Sequence, residues 1–124
     1  MTTKVAPVTL ESFSIEPAID QDFLKLTLRG TGDMAAVRHL DRCLQEAHQE
    51  VVALGLKGLE LDITALYLLN SSCLKTLVSL VYKITTEGPH YAVRFVTDPH
   101  LSWQSRSLAV IVRMAPKVVS IAAQ

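Results

Sequence analysis

Leu59-Glu60-Leu61-Asp62-Ile63-Thr64 alternates apolar and polar side chains. A few residues on, Leu68-Leu69-Asn70-Ser71-Ser72-Cys73-Leu74-Lys75 opens a run with a different period. Alternation with period two is the pattern of a half-buried strand. Past Cys73 the apolar residues fall at Leu74, Leu77, Val78, Val81 and Ile84, which is one face of a helix, and Gly88-Pro89 closes the run. The centre of the chain therefore reads strand, short link, helix. Asn70 stands at the N-cap position, where its side-chain oxygen can accept from a first-turn N–H that has no partner inside the helix.

The same two periods recur on either side. Ser12-Phe13-Ser14-Ile15-Glu16 and Leu24-Lys25-Leu26-Thr27-Leu28-Arg29 alternate, with a polar turn near Asp20-Gln21 between them, as an antiparallel hairpin would. Gly30-Thr31-Gly32 breaks the alternation and turns the chain toward a helix capped by Asp33. This first helix carries Val37, Leu40, Cys43, Leu44, Ala47 and Val51 on one side and ends near Leu54, before Gly55 and Gly58. After the central helix, Tyr91-Ala92-Val93-Arg94-Phe95-Val96 reads as a strand and Asp98-Pro99 as a turn. Leu101 to about Met114 forms a third helix ended by Pro116, and Val118-Val119-Ser120-Ile121 is a candidate last strand.

The order is ββαβαβα with a further β at the end. Strands that alternate with helices pair in parallel through right-handed crossovers. A sheet covered on both faces has strands that are apolar throughout. Here the strands carry Lys25, Thr27, Glu60, Asp62 and Arg94 on every second position, so the helices are expected mainly on one face. The prediction is a two-layer α/β domain spanning 1–124, with a mixed sheet of four to five strands and residues 1–10 as a loose N-terminal arm.

At 124 residues and 49% hydrophobic, the chain can bury a core of its own. Twelve basic side chains balance twelve acidic ones, without the basic excess of a nucleic-acid binder. The first residues lack the apolar core of a secretory signal, and no uninterrupted apolar run is long enough for a membrane span. Cys43 and Cys73 are far apart and in no CxxC arrangement, which suits reduced thiols and a cytoplasmic location. Neither cysteines nor histidines show metal-ligand spacing, and no cofactor is indicated.

Asn70-Ser71-Ser72 admits two readings. It can be a helix start and nothing more. Alternatively, the unpaired N–H groups and the positive end of the helix dipole make it a place where a phosphoserine is tolerated, adding nearly two negative charges to a neutral spot. Lys75, one turn beyond Ser71, can help hold such a phosphate.

The strand ending Leu-Asp-Ile-Thr, followed by Leu-Asn-Ser-Ser-Cys-Leu-Lys at the start of an amphipathic helix, resembles the STAS fold of bacterial anti-sigma factor antagonists. Their segment reads Asp-Ser-Ser-Gly or Asp-Ser-Thr-Gly, with the serine after the acid phosphorylated by a partner kinase. Asn70 takes the place of the acid, Ser71 that of the phospho-acceptor (Ser72 is the second choice), and Cys73 replaces the glycine. The two departures look closer to SiaC-type regulatory phosphoproteins, whose segment is similar to Asn-Thr-Ser-Ser followed by an aliphatic residue and lysine. The stretch from Val93 to Leu108, with Trp103, is also similar to small bacterial regulators that work beside serine kinases and phosphatases. The resemblance implies a non-catalytic adaptor that changes partner when Ser71 is phosphorylated. Its implied partners are a protein serine kinase, a PP2C-like phosphatase and a downstream protein such as a diguanylate cyclase or an anti-sigma factor. Asn70, Ser72, Cys73 and Lys75 then belong to the switch surface.

A small Ser- or Cys-dependent hydrolase is the enzyme alternative, since Ser71, Ser72 and Cys73 sit at a strand-to-helix turn. The chain has no G-x-S-x-G pattern, and His90 and His100 are the only candidate bases. A constitutive, unphosphorylated scaffold is a further alternative. On the third helix, Leu101, Leu108, Ile111, Val112 and Ala115 form a core stripe, while Trp103, Val110 and Met114 form a second. That second stripe is either covered or, with Arg106 and Arg113 at its rim, a partner contact.

Overall fold

The computed structural model describes residues 2–124. Six strands form one mixed sheet, in spatial order identical to chain order: β1 (Val8–Thr9), β2 (Phe13–Asp20), β3 (Phe23–Gly32), β4 (Gly58–Leu69), β5 (Ala92–Thr97) and β6 (Val119–Ala123). The first three pair antiparallel and the last three join in parallel. Three helices make the parallel crossovers: α1 (Val37–Leu54), α2 (Ser71–Glu87) and α3 (Ser102–Met114). Because the strands never change direction of progress along the sheet, right-handed crossovers put all three helices on one face.

Alternation sets which side is core. Ile15, Leu24, Leu26, Leu28, Leu59, Leu61, Ile63 and Phe95 are sealed under the helices. The intervening residues line the open face, where Lys25, Glu60 and Arg94 stand abreast on neighbouring strands. Arg94 Nε donates to Glu60 Oε1 at 2.8 Å and stacks on Phe23, its guanidinium carbon 4.3 Å from the ring centre. This is the two-layer arrangement expected from the polar positions of the strands.

Four expectations need correction. The sheet has six strands rather than four or five, because both ends of the chain add an edge. The expected loose arm over residues 1–10 is, in its described part from residue 2 onward, held down: Val5 and Val8 are buried, Lys4 N–H donates to Glu50 Oε2 at 2.7 Å, and Val8–Thr9 pairs with β2. Gly30-Thr31-Gly32 belongs to β3 rather than to a turn. It forms an irregular end where Gly30 adopts φ +94° and the Thr31 N–H reaches Ser12 O at 2.7 Å. A Cβ at Gly30 would run into the Ser12 carbonyl, so both conformation and space demand glycine there. Finally, the short link after Thr64 does not exist: β4 continues to Leu69, and Leu68 and Leu69 pair with Thr31 and Gly32. Asp33 caps a 3-10 turn, Met34–Ala36, that leads into α1.

Candidate functional site

The long β3 and β4 end side by side, and this determines where α2 begins. Asn70 N–H donates to Gly32 O at 2.8 Å, tying the last residue before α2 to the end of β3. Asn70 has an extended backbone, and its Oδ1 accepts from Cys73 N–H at 2.8 Å while its carbonyl accepts from Leu74 N–H at 3.0 Å. Of the orphan donors in the first turn, those of Ser71 and Ser72 remain. Neither serine hydroxyl contributes to this cap. Ser72 lends its carbonyl to Thr76 Oγ1 at 3.1 Å.

Cys73 fixes the depth of the helix start. Its side chain is fully buried, and its Sγ lies 3.5 Å from Asp33 O, so the thiol pins α2 against the 3-10 turn. Burial, with a smaller contribution from the Asp33 carboxylate, pushes the Cys73 thiol up from its ordinary value. Cys43, buried in α1, is pushed up to about 11 for the same main reason, desolvation. Neither is an activated nucleophile. Of the two candidate bases, His90 Nε2 meets Thr85 O at 3.0 Å, and His100 sits in an exposed turn where its backbone N–H donates to Asp98 Oδ1 at 2.9 Å. Neither ring is hydrogen-bonded to Ser71 or Cys73 among the described residues.

Ser71 is exposed and Ser72 half-buried. Lys75 is exposed one turn along, and among the described residues it has no ion-pair partner. The surface at this end of the sheet holds apolar residues that the sequence reading missed. Met34 is 70% exposed, Tyr67 63% and Leu68 56%. Met34 follows the end of β3, and Tyr67 and Leu68 are among the last residues of β4 before Asn70, so the three belong to the end of the sheet where α2 starts. Tyr82, also exposed, stands three turns along α2 on the side of Ser71. The signal was available: Leu66-Tyr67-Leu68-Leu69 is apolar at every position, more than an alternating strand with one wet face requires.

The second stripe of α3 does not form a surface patch. Trp103 and Met114 are half-buried and packed on the core, and Trp103 Nε1 is enclosed with no hydrogen-bond partner among the described residues. Only Val110 and Arg106 stand out into solvent, along with Arg113. The residue of α3 that matters structurally is Gln104. It is 1% exposed, its Nε2 donates to Ile63 O at 2.7 Å and Leu66 O at 3.1 Å, and its Oε1 accepts from Asp98 N–H at 2.9 Å. The pairing of β4 with β5 ends at Asp62 and Val96, and Gln104 supplies partners that the strands no longer give each other.

Among the described residues no three His, Cys, Asp or Glu side chains come together as a metal site, and no helix is long and apolar enough to cross a membrane. No protein-family model and no curated protein matches the chain. Solved structures do. An anti-sigma factor antagonist from Mycobacterium paratuberculosis matches with a TM-score of 0.62 at 16% identity, covering 94% of this chain and 88% of that one. The protein TM1081 matches with a TM-score of 0.58 at 14% identity, over 100% of this chain and 90% of the other. An uncharacterised DUF3478-family protein with a SpoIIAA-like fold, from Shewanella loihica PV-4, matches with a TM-score of 0.53 at 15% identity, over 93% and 88%. The chain has the fold of these proteins: a SpoIIAA-like, STAS-type α/β domain.

Proposed function

We propose that this chain is a non-catalytic signalling adaptor whose choice of partner is switched by phosphorylation of Ser71. One observation carries the reading: Ser71 is an exposed hydroxyl in the first turn of a helix whose cap is held by another residue, Asn70. Phosphorylation there costs the fold no hydrogen bond. The new phosphate gains the leftover first-turn N–H groups, the positive end of the helix dipole and the nearby Lys75 ammonium. Nearly two negative charges then appear beside the exposed apolar surface of Met34, Tyr67 and Leu68. A partner that buries that surface loses its fit once it must also desolvate a phosphate.

The partners of this reading are a serine kinase, a PP2C-like phosphatase and a downstream signalling protein of the diguanylate cyclase or anti-sigma type, in a cytoplasmic bacterial setting. The similarity in fold to an anti-sigma factor antagonist supports it, as does the motif around Asn70-Ser71-Ser72. A thiol-dependent hydrolase is disfavoured by the buried Cys73 with its raised pKa.

The test uses Ser71→Ala and Ser71→Glu proteins with matching thermal melts as parallel baits in extracts of the native cells. At least one protein retained by the Ala form and lost by the Glu form is the expected result. Identical partner sets for both forms overturn the reading.

A further inference from the structure

The far end of α1 holds a second feature, which rests neither on Ser71 nor on the switch. Glu50 is 8% exposed, yet it is a carboxylate. Its Oε2 accepts the Lys4 N–H at 2.7 Å, while its Oε1 is enclosed and has no hydrogen-bond partner among the described residues. No cation among those residues pairs with it. The neighbouring acid, Glu46, differs: Arg42 Nη1 lies 2.8 Å from its Oε1, and the Ala6 N–H donates to the same oxygen at 3.2 Å. Glu46 is compensated and Glu50 is not.

Glu50 lines an open-mouthed cavity of about 380 Å³ between the N-terminal segment and α1, with apolar surface from Val5, Ala53 and Leu54 and polar lining from Thr2, Lys4, Glu46 and Gln49. An enclosed carboxylate oxygen without a donor is costly. The cavity beside it offers room for a group that would supply the donor. An anion would face two carboxylates against the single Lys4 cation of the lining, and a purely apolar ligand would leave Oε1 unpaired. A primary ammonium satisfies the oxygen with a charge-assisted hydrogen bond, and a short alkyl chain covers Val5, Ala53 and Leu54.

We propose that this cavity is a binding site for a small primary alkylammonium, with Glu50 as its anchoring residue. It lies about 20 Å from the start of α1 at 1.5 Å per residue, toward the end of the sheet away from Ser71.

The direct test is a titration of the 15N-labelled chain with n-butylammonium chloride, followed by amide chemical shifts. The Lys4 amide reports on Glu50 because it donates to the same carboxylate. Expected are saturable shifts at Lys4 and at neighbouring α1 amides, with a Kd on the order of millimolar for so small a ligand. The neutral 1-butanol, of the same length, should bind at least about tenfold more weakly, since a charge-assisted hydrogen bond is lost. Glu50→Gln, which keeps an acceptor for Lys4, should weaken n-butylammonium by about tenfold or more. Ala53→Leu, which keeps the carboxylate and fills the cavity, should also weaken it, so the test does not depend on one variant folding. Absence of a shift at Lys4, shifts that do not saturate, or equal affinity in Glu50→Gln overturns the proposal.

Discussion

Helices α2 and α3 both begin just past a parallel strand, and both have an exposed serine as their first residue, Ser71 and Ser102. Their starts are held in opposite ways. At α2 the cap lies outside the helix: Asn70 satisfies the Cys73 N–H from a position that faces solvent on one side. At α3 the N-cap residue is Leu101, which offers no side-chain acceptor, and order comes from within through the buried Gln104 and its bonds to Ile63, Leu66 and Asp98. A polar group that holds a start from inside cannot be modified or approached. A start held from outside by a neighbour leaves the adjacent serine without structural duty. Ser71 is in that position, and it sits among exposed apolar side chains.

This contrast can be broken or sharpened by substitution, and the largest effect is expected at α3. Gln104→Ala leaves two carbonyls and one N–H buried without partners and opens a void. It should cost about 2–4 kcal/mol in urea unfolding, and a loss below about 1 kcal/mol would mean that the β4–α3 junction holds itself together. Next is Cys73→Gly, which removes a buried side chain and places glycine inside a helix. A loss of about 2 kcal/mol is expected, and an unchanged midpoint would show that the thiol does not anchor α2. Asn70→Ala removes the cap and should cost about 1 kcal/mol, whereas Asn70→Asp, which keeps the acceptor, should cost far less. The smallest changes are expected from Ser71→Ala and Ser102→Ala, each within about 0.5 kcal/mol of the parent. A larger loss for Ser71→Ala would make it a structural residue and erase the distinction between cap and switch.

Much of the layout was legible because alternation and helical spacing are local properties. Lys25, Glu60 and Arg94 on every second position announced the open face, and Asn70 announced the start of α2. What escaped depends on which distant segments meet. Val8–Thr9 is a two-residue strand, too short for any period, and exists because β2 offers it an edge. The link expected after Thr64 is strand because β3 continues beside it. Gln104 on a helix is an ordinary polar residue until β4 and β5 part above it. The spacing of Trp103 on α3 left it either covered or a partner contact, and the packing of α3 on the sheet turns it onto the core. The exposed apolar residues Met34, Tyr67 and Leu68 come from two segments more than thirty residues apart, and only the pairing of β3 with β4 brings them to the end of the sheet where α2 starts.

The claim that Ser71 carries the switch is tested most directly by intact-mass measurement and peptide mapping of the chain isolated from its native cells with phosphatase inhibitors present. The account predicts a fraction heavier by one phosphoryl group, mapped to Ser71. A protein that stays unmodified across growth conditions, or a phosphate mapped to a residue away from the start of α2, would contradict it.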